Sequence, residues 1–207
     1  MKLTKEQITT IQTSLSVESI FYADIKAELV DHIAAQIESE LGSEQSFELL
    51  LHERLRYFNQ KKFQRQILLK THLGMIQSFF KHMNSFWLTV FVIAVTFVIG
   101  FWINAIYVGE PFLAEKALKT SFIILLVAII VIGFSKPKML KNSQIVAAGN
   151  TLFMIGMISQ FVLRLEWLQW TGLSNQALIY EMTFWFCLIL VAGFRMISST
   201  IKKTALA

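Results

Sequence analysis

The sequence predicts an all-α protein: a small cytoplasmic domain of three to four helices, followed by a four-helix transmembrane bundle. Three observations lead there. From Phe86 to Tyr107 there are 22 consecutive residues without a charge, against the roughly 20 that a helix needs to cross about 30 Å of hydrocarbon. Three later segments repeat that signal, so spans are expected at 86–107, 118–134, 145–163 and 178–196. Everything before Asn84 lacks it and shows apolar residues three and four apart, the period of amphipathic helices. The chain therefore divides into a head, residues 1–83, and a membrane domain, residues 84–207.

Charge follows the same division. The head carries ten Lys or Arg and ten Asp or Glu, so the net +5 of the chain belongs to the membrane half. Lysines beside the membrane meeting anionic lipid account for that excess, and direct nucleic-acid binding is not expected. Cys187 is the only cysteine and falls inside the last span, so an intrachain disulfide is excluded. The opening run MKLTKEQITTIQ has no apolar core of the secretory type, so the first membrane helix is expected to act as an uncleaved anchor.

In the head, Thr4 and Gln7 have capping-box spacing and open a helix over about Lys5 to Ser14, with Ile8, Ile11 and Leu15 as its apolar side. Ser14 to Ser19 reads as a turn. A longer helix follows from about Tyr22 to Leu41, with Tyr22, Ile25, Leu29, Ile33, Ile37 and Leu41 on one face. Gly42 supplies a stop, and Ser43 and Glu44 begin a third helix whose stripe is Phe47, Leu50, Leu51, Leu55 and Phe58. Three such stripes close a small helical core. From Gln60 to Met83 the chain is basic and then apolar, interrupted near Gly74. It is either an amphipathic connector at the membrane interface or a fourth helix completing the head.

The run from Ile20 to Phe58 resembles the short helical HAAS-type domain that precedes membrane segments in many bacterial proteins. The matching residues are Tyr22, Glu28, Leu29, Asp31, His32, Gly42 and Phe47. Val30 stands where that family commonly has leucine, and the third helix ends in RYFNQKKF instead of a leucine-glycine. The resemblance implies a regulatory or accessory membrane protein, some relatives being associated with PadR-type transcription regulators and some permeases carrying a similar prefix. It implies no reaction.

The loops set the expected orientation. Lys70, Lys81, Lys136, Lys138, Lys141, Arg195, Lys202 and Lys203 fall on one side of four spans; Lys116, Lys119 and Arg164, each near an acidic residue, fall on the other. Positive charge favours the cytoplasmic side, so both termini are expected inside a bacterial cytoplasmic membrane. Trp102, Tyr107, Trp167, Trp170 and Tyr180 mark the outer interface and Trp87 the inner one. Pro111 is placed to start the helix that leads into the second span.

Few residues offer chemistry. Glu181 lies about a turn inside the last span, where an unpaired carboxylate is expensive, and Arg164 at the end of the third span is its expected partner. Asn104, Asn150, Ser159 and Gln160 are polar positions in or near spans, suited to packing or to lining a small outward cavity. Gly149 and Gly156 allow close helix approach. Glu28 with His32, and Glu48 with His52, have four-residue spacing, which serves helix-surface hydrogen bonds far more often than a metal. Glu28, Asp31 and His32 are instead the expected partner surface. With no HExxH, phosphate-binding glycine loop or CxxC, no catalytic, cofactor or metal residue is expected. The leading expectation is a non-enzymatic membrane regulatory or interaction protein. Its partners are membrane lipid and a cytoplasmic protein or transcription regulator, with a homo-oligomer left open. The alternative is a small transport-related or permease-accessory protein.

Overall fold

The computed structural model describes residues 2–15, 20–41, 46–135 and 137–206. Gly42, Ser43, Glu44, Lys136 and most of the Ser14–Ser19 turn lie outside the described residues. Ten α-helices and one 3₁₀ turn make up the described chain, with no strand among them. Two compact units form: residues 1–71 with 140–143, and residues 72–139 with 144–207.

In the first unit, α1 (Lys5–Ser14) opens on the capping box: Gln7 donates its N–H to Thr4 Oγ1 at 3.3 Å and Thr4 donates its N–H to Gln7 Oε1 at 2.9 Å. α2 (Ala23–Glu40) buries Ile25, Leu29, Ile33 and Ile37, the expected stripe, together with Val30. α3 (Phe47–Tyr57) adds Phe47, Leu50 and Leu51. Ile11 and Leu15 complete this core, whereas Ile8, expected on the same side of α1, stays exposed. An ion pair between Arg54 and Glu40 joins α3 to the end of α2.

α4 runs unbroken from Gln60 to Met83, so Gly74 does not interrupt it. A lone glycine costs a helix only about 1 kcal/mol, which packing at both ends readily offsets. Phe63, Ile67 and Leu68 pack on the core of the first unit, while Met75, Phe79 and Met83 pack in that of the second.

The first unit also holds a stretch distant in sequence. Ala23 donates its N–H to the Lys141 carbonyl at 2.9 Å. Ser143, the first residue of α8, donates its N–H to Asp24 Oδ1 at 3.0 Å and its hydroxyl to Oδ2. A carboxylate at a helix N-terminus satisfies free N–H groups and complements the helix dipole. Hydrogen bonds to a charged group contribute about 1.5–3 kcal/mol.

The second unit contains four helices long and apolar enough to cross a membrane: α5 (Phe86–Ile106), α6 (Pro111–Gly133), α8 (Ser143–Val162) and α10 (Asn175–Leu206). The short helices α7 (Pro137–Leu140) and α9 (Leu165–Leu168) lie between them. α6 starts at Pro111, as expected, and Glu115 and Lys119 in its first turns pair at 2.5 Å one turn apart and neutralise each other. α10 runs ten residues beyond the expected end at Met196. Ile197 and Thr200 continue its buried face, and no glycine or proline follows Gly193 to stop it.

Close approaches among the spans converge on α10. Phe122 of α6 stacks on Phe186 of α10 with centroids 4.4 Å apart. Tyr180, expected at the interface, fills the notch at Gly100 of α5, where a Cβ would lie 2.4 Å from its ring. Leu152 of α8 likewise occupies the space at Gly193. Gly149 of α8 receives Phe134, which caps the end of α6, and Gly156 receives Leu126 of α6, bearing out their reading as close-packing positions. Small residues at such crossings let dispersion forces hold helices that gain nothing from hydrophobic transfer out of lipid.

At the C-terminal part of α10, Ser199 Oγ lies 3.4 Å from His82 Nε2 of α4. Burial, with Arg195, Lys203 and Lys81 nearby, holds the His82 imidazole below its usual pKa and favours its neutral form.

Replacing Gly193 by leucine is expected to destabilise the bundle by about 1–3 kcal/mol through overpacking against Leu152. Unfolding in mixed micelles measures this, and a second change, Leu152→Ala, is expected to restore part of the loss.

Candidate functional site

The strongest candidate site is a groove of about 560 Å³ in the second unit. It follows from two helix faces. On α10, Glu181, Trp185 and Ile189 recur every fourth residue and line one stripe; on α8, Ile155, Ile158, Ser159 and Val162, at three- and four-residue helical spacing, line another. Phe80 of α4 and Leu163 and Leu168 close other parts of the wall. Ser159 donates its hydroxyl to the Gly156 carbonyl at 2.7 Å, so its hydrogen is used within its own helix. Glu181 is then the only acidic group on an otherwise apolar wall.

Arg164 and Glu181 do not form an ion pair. Among the described residues the ion pairs within 4.0 Å are Arg54–Glu40 and Lys119–Glu115. α8 ends at Val162, and Arg164 becomes the N-cap of α9. Its guanidinium lies over the rings of Phe161 and Trp167, 5.7 and 5.6 Å from their centroids. Cation–π contacts of this kind take up the charge that the sequence assigns to the carboxylate.

The other polar positions disperse. Asn104 donates to the Gly100 carbonyl at 2.9 Å and lines a second cavity, about 330 Å³, with Tyr107, Asn175 and Gln176. Asn150 is exposed on α8 and lines neither cavity. Gln160 is half-buried, and its Nε2 makes no hydrogen bond among the described residues. The second cavity presents neutral amides and a phenol and holds no charge.

In the first unit, Glu28, Asp31 and His32 share the exposed side of α2. The His32 ring stacks on Phe63 at 5.5 Å and approaches Phe58 at 6.0 Å, with Gln36 Nε2 3.2 Å from its Nε2. Among the described residues no three His, Cys, Asp or Glu side chains converge as a metal would need. Sequence reasoning missed Asp24 and Trp185. Asp24 caps a helix start 119 residues away, for which no local pattern exists. Trp185 could have been found from its place one turn after Glu181.

A double-mutant cycle of Glu181→Gln and Arg164→Gln is expected to be additive within about 0.5 kcal/mol, as for groups that share no contact. Coupling above about 1 kcal/mol in a bundle-unfolding assay would reinstate the pair.

Comparison with protein-family models, with curated proteins and with solved structures finds no match for this chain.

Proposed function

We propose that this is a non-enzymatic membrane regulatory protein. A helical head on the cytoplasmic side binds a protein partner, and the four spans anchor that head and respond to it. The observation that carries the reading is a helical unit with its own buried core, joined in sequence to four helices long and apolar enough to cross a membrane. α4 gives its first half to the head core and its second half to the bundle core. Asp24, in the first turn of α2, holds the first residue of α8. Contiguous elements of this kind are the physical means of coupling, and coupling itself is a measurable free energy.

The resemblance of residues 20–58 to HAAS-type domains supports the same reading and makes a transcription regulator a fitting partner. The exposed side of α2 with Glu28, Asp31 and His32 is the surface offered to it. The lysines of the connection between α6 and α8 and of the C-terminal end support a cytoplasmic side for both termini in a bacterial cell. A second reading, a transport-related or permease-accessory protein, draws on the charged groove at Glu181.

A photo-cross-linking residue in place of Asp31 or His32 is expected to capture one cytoplasmic protein in near-stoichiometric yield. Asp31→Lys is expected to reduce co-purification of that protein at least tenfold. Asp24→Ala is expected to leave binding intact and remove the partner's effect on labelling of the spans. Capture of nothing above background from either position would sink the regulatory reading.

A further inference from the structure

We infer that the groove between α8 and α10 binds an amphiphilic cation, a molecule with one positive centre on a hydrocarbon body. This stands apart from the regulatory reading, which requires no ligand in the membrane domain. Charge complementarity selects the occupant. Glu115 has Lys119, whereas Glu181 has no ionic partner among the described residues, and Arg164 is engaged with Phe161 and Trp167. A carboxylate on an apolar wall in a span is costly alone and favourable beside a cation. An anion or a neutral hydrocarbon leaves that cost in place.

The wall fits the remainder of such a ligand. At about 560 Å³ the groove is within the roughly 300–1,000 Å³ range of small-molecule sites. Trp185, one helical turn from Glu181, presents an indole that is 38% exposed and suited to a cation lacking hydrogen-bond donors. Ile155, Ile158 and Ile189 supply the surface against which a hydrocarbon body packs. The groove thus reads charge at one place and apolar bulk along the rest, with little demand on hydrogen-bond geometry. Ligand classes built this way include quaternary ammonium and phosphonium compounds.

The test uses the full-length protein in phosphatidylcholine nanodiscs and tetraphenylphosphonium as the probe, measured by equilibrium binding against empty discs. Saturable binding of one probe per chain is expected. Glu181→Gln should weaken it at least tenfold, Trp185→Leu several-fold, and Glu181→Asp less than Glu181→Gln. Ile158→Trp, which fills the groove and keeps the carboxylate, should also abolish binding, so the inference stays testable if Glu181→Gln fails to fold. Binding equal to empty discs, or unchanged by both Glu181→Gln and Ile158→Trp, overturns the assignment. If adding phosphatidylethanolamine to the discs displaces the probe, the occupant is a membrane aminolipid and the assignment to a free amphiphilic cation fails.

Discussion

Hydrocarbon offers no hydrogen bonds, and the four long apolar helices of the second unit suit that constraint. Every backbone N–H and C=O within a span must find its partner inside the segment, which leaves helices as the available element for an open chain. The four long apolar helices meet this requirement. Association between them must then come from fit, because leaving lipid yields no hydrophobic gain. α10 supplies most of that fit. It receives Phe122 from α6, places Tyr180 against Gly100 of α5, and accommodates Leu152 of α8 at Gly193.

The same constraint governs the polar side chains. Thr183 and Thr200 donate to carbonyls four residues back in α10, Ser159 to one three residues back in α8, and Asn104 to Gly100 in α5. Glu115 and Lys119 cancel within one turn of α6. These groups are satisfied locally and need no neighbour helix. Glu181 breaks the pattern, since a carboxylate accepts hydrogen bonds and has no proton to return to its own helix. Its charge sets the groove apart from the second cavity, while Thr96 Oγ1 and Gln160 Nε2 are neutral buried atoms that also lack a partner among the described residues.

Much of the fold was legible because it rests on composition and period. The spans of α5 and α8 came within a few residues of their limits, since uncharged length is a direct measure of hydrocarbon thickness. The stripes of α2 and α3 and the Thr4–Gln7 cap were equally local. Pro111 likewise marked the start of α6, whereas the end of α10 was not legible, because a continued buried face carries that helix past the apolar core. Gly74 looked like a break and is not one, as packing at both ends of α4 outweighs its propensity. For the site, Glu181 stood out in the sequence as a charge in a span. Its neighbours did not, because which face of α8 meets α10, and which way Arg164 turns, are decided by tertiary packing.

A regulatory head and a ligand-responsive bundle are compatible descriptions of one molecule. Both depend on four crossings with the lysine-rich turns inside. Cysteine accessibility in intact cells measures that arrangement most directly, using a Cys187→Ser background and an impermeant maleimide. Cysteines replacing Glu110 and Leu173 should label from outside, whereas those replacing Lys5 and Lys138 should label only after permeabilisation. Labelling of positions 110 and 173 from opposite faces, or of position 138 in unbroken cells, would contradict it.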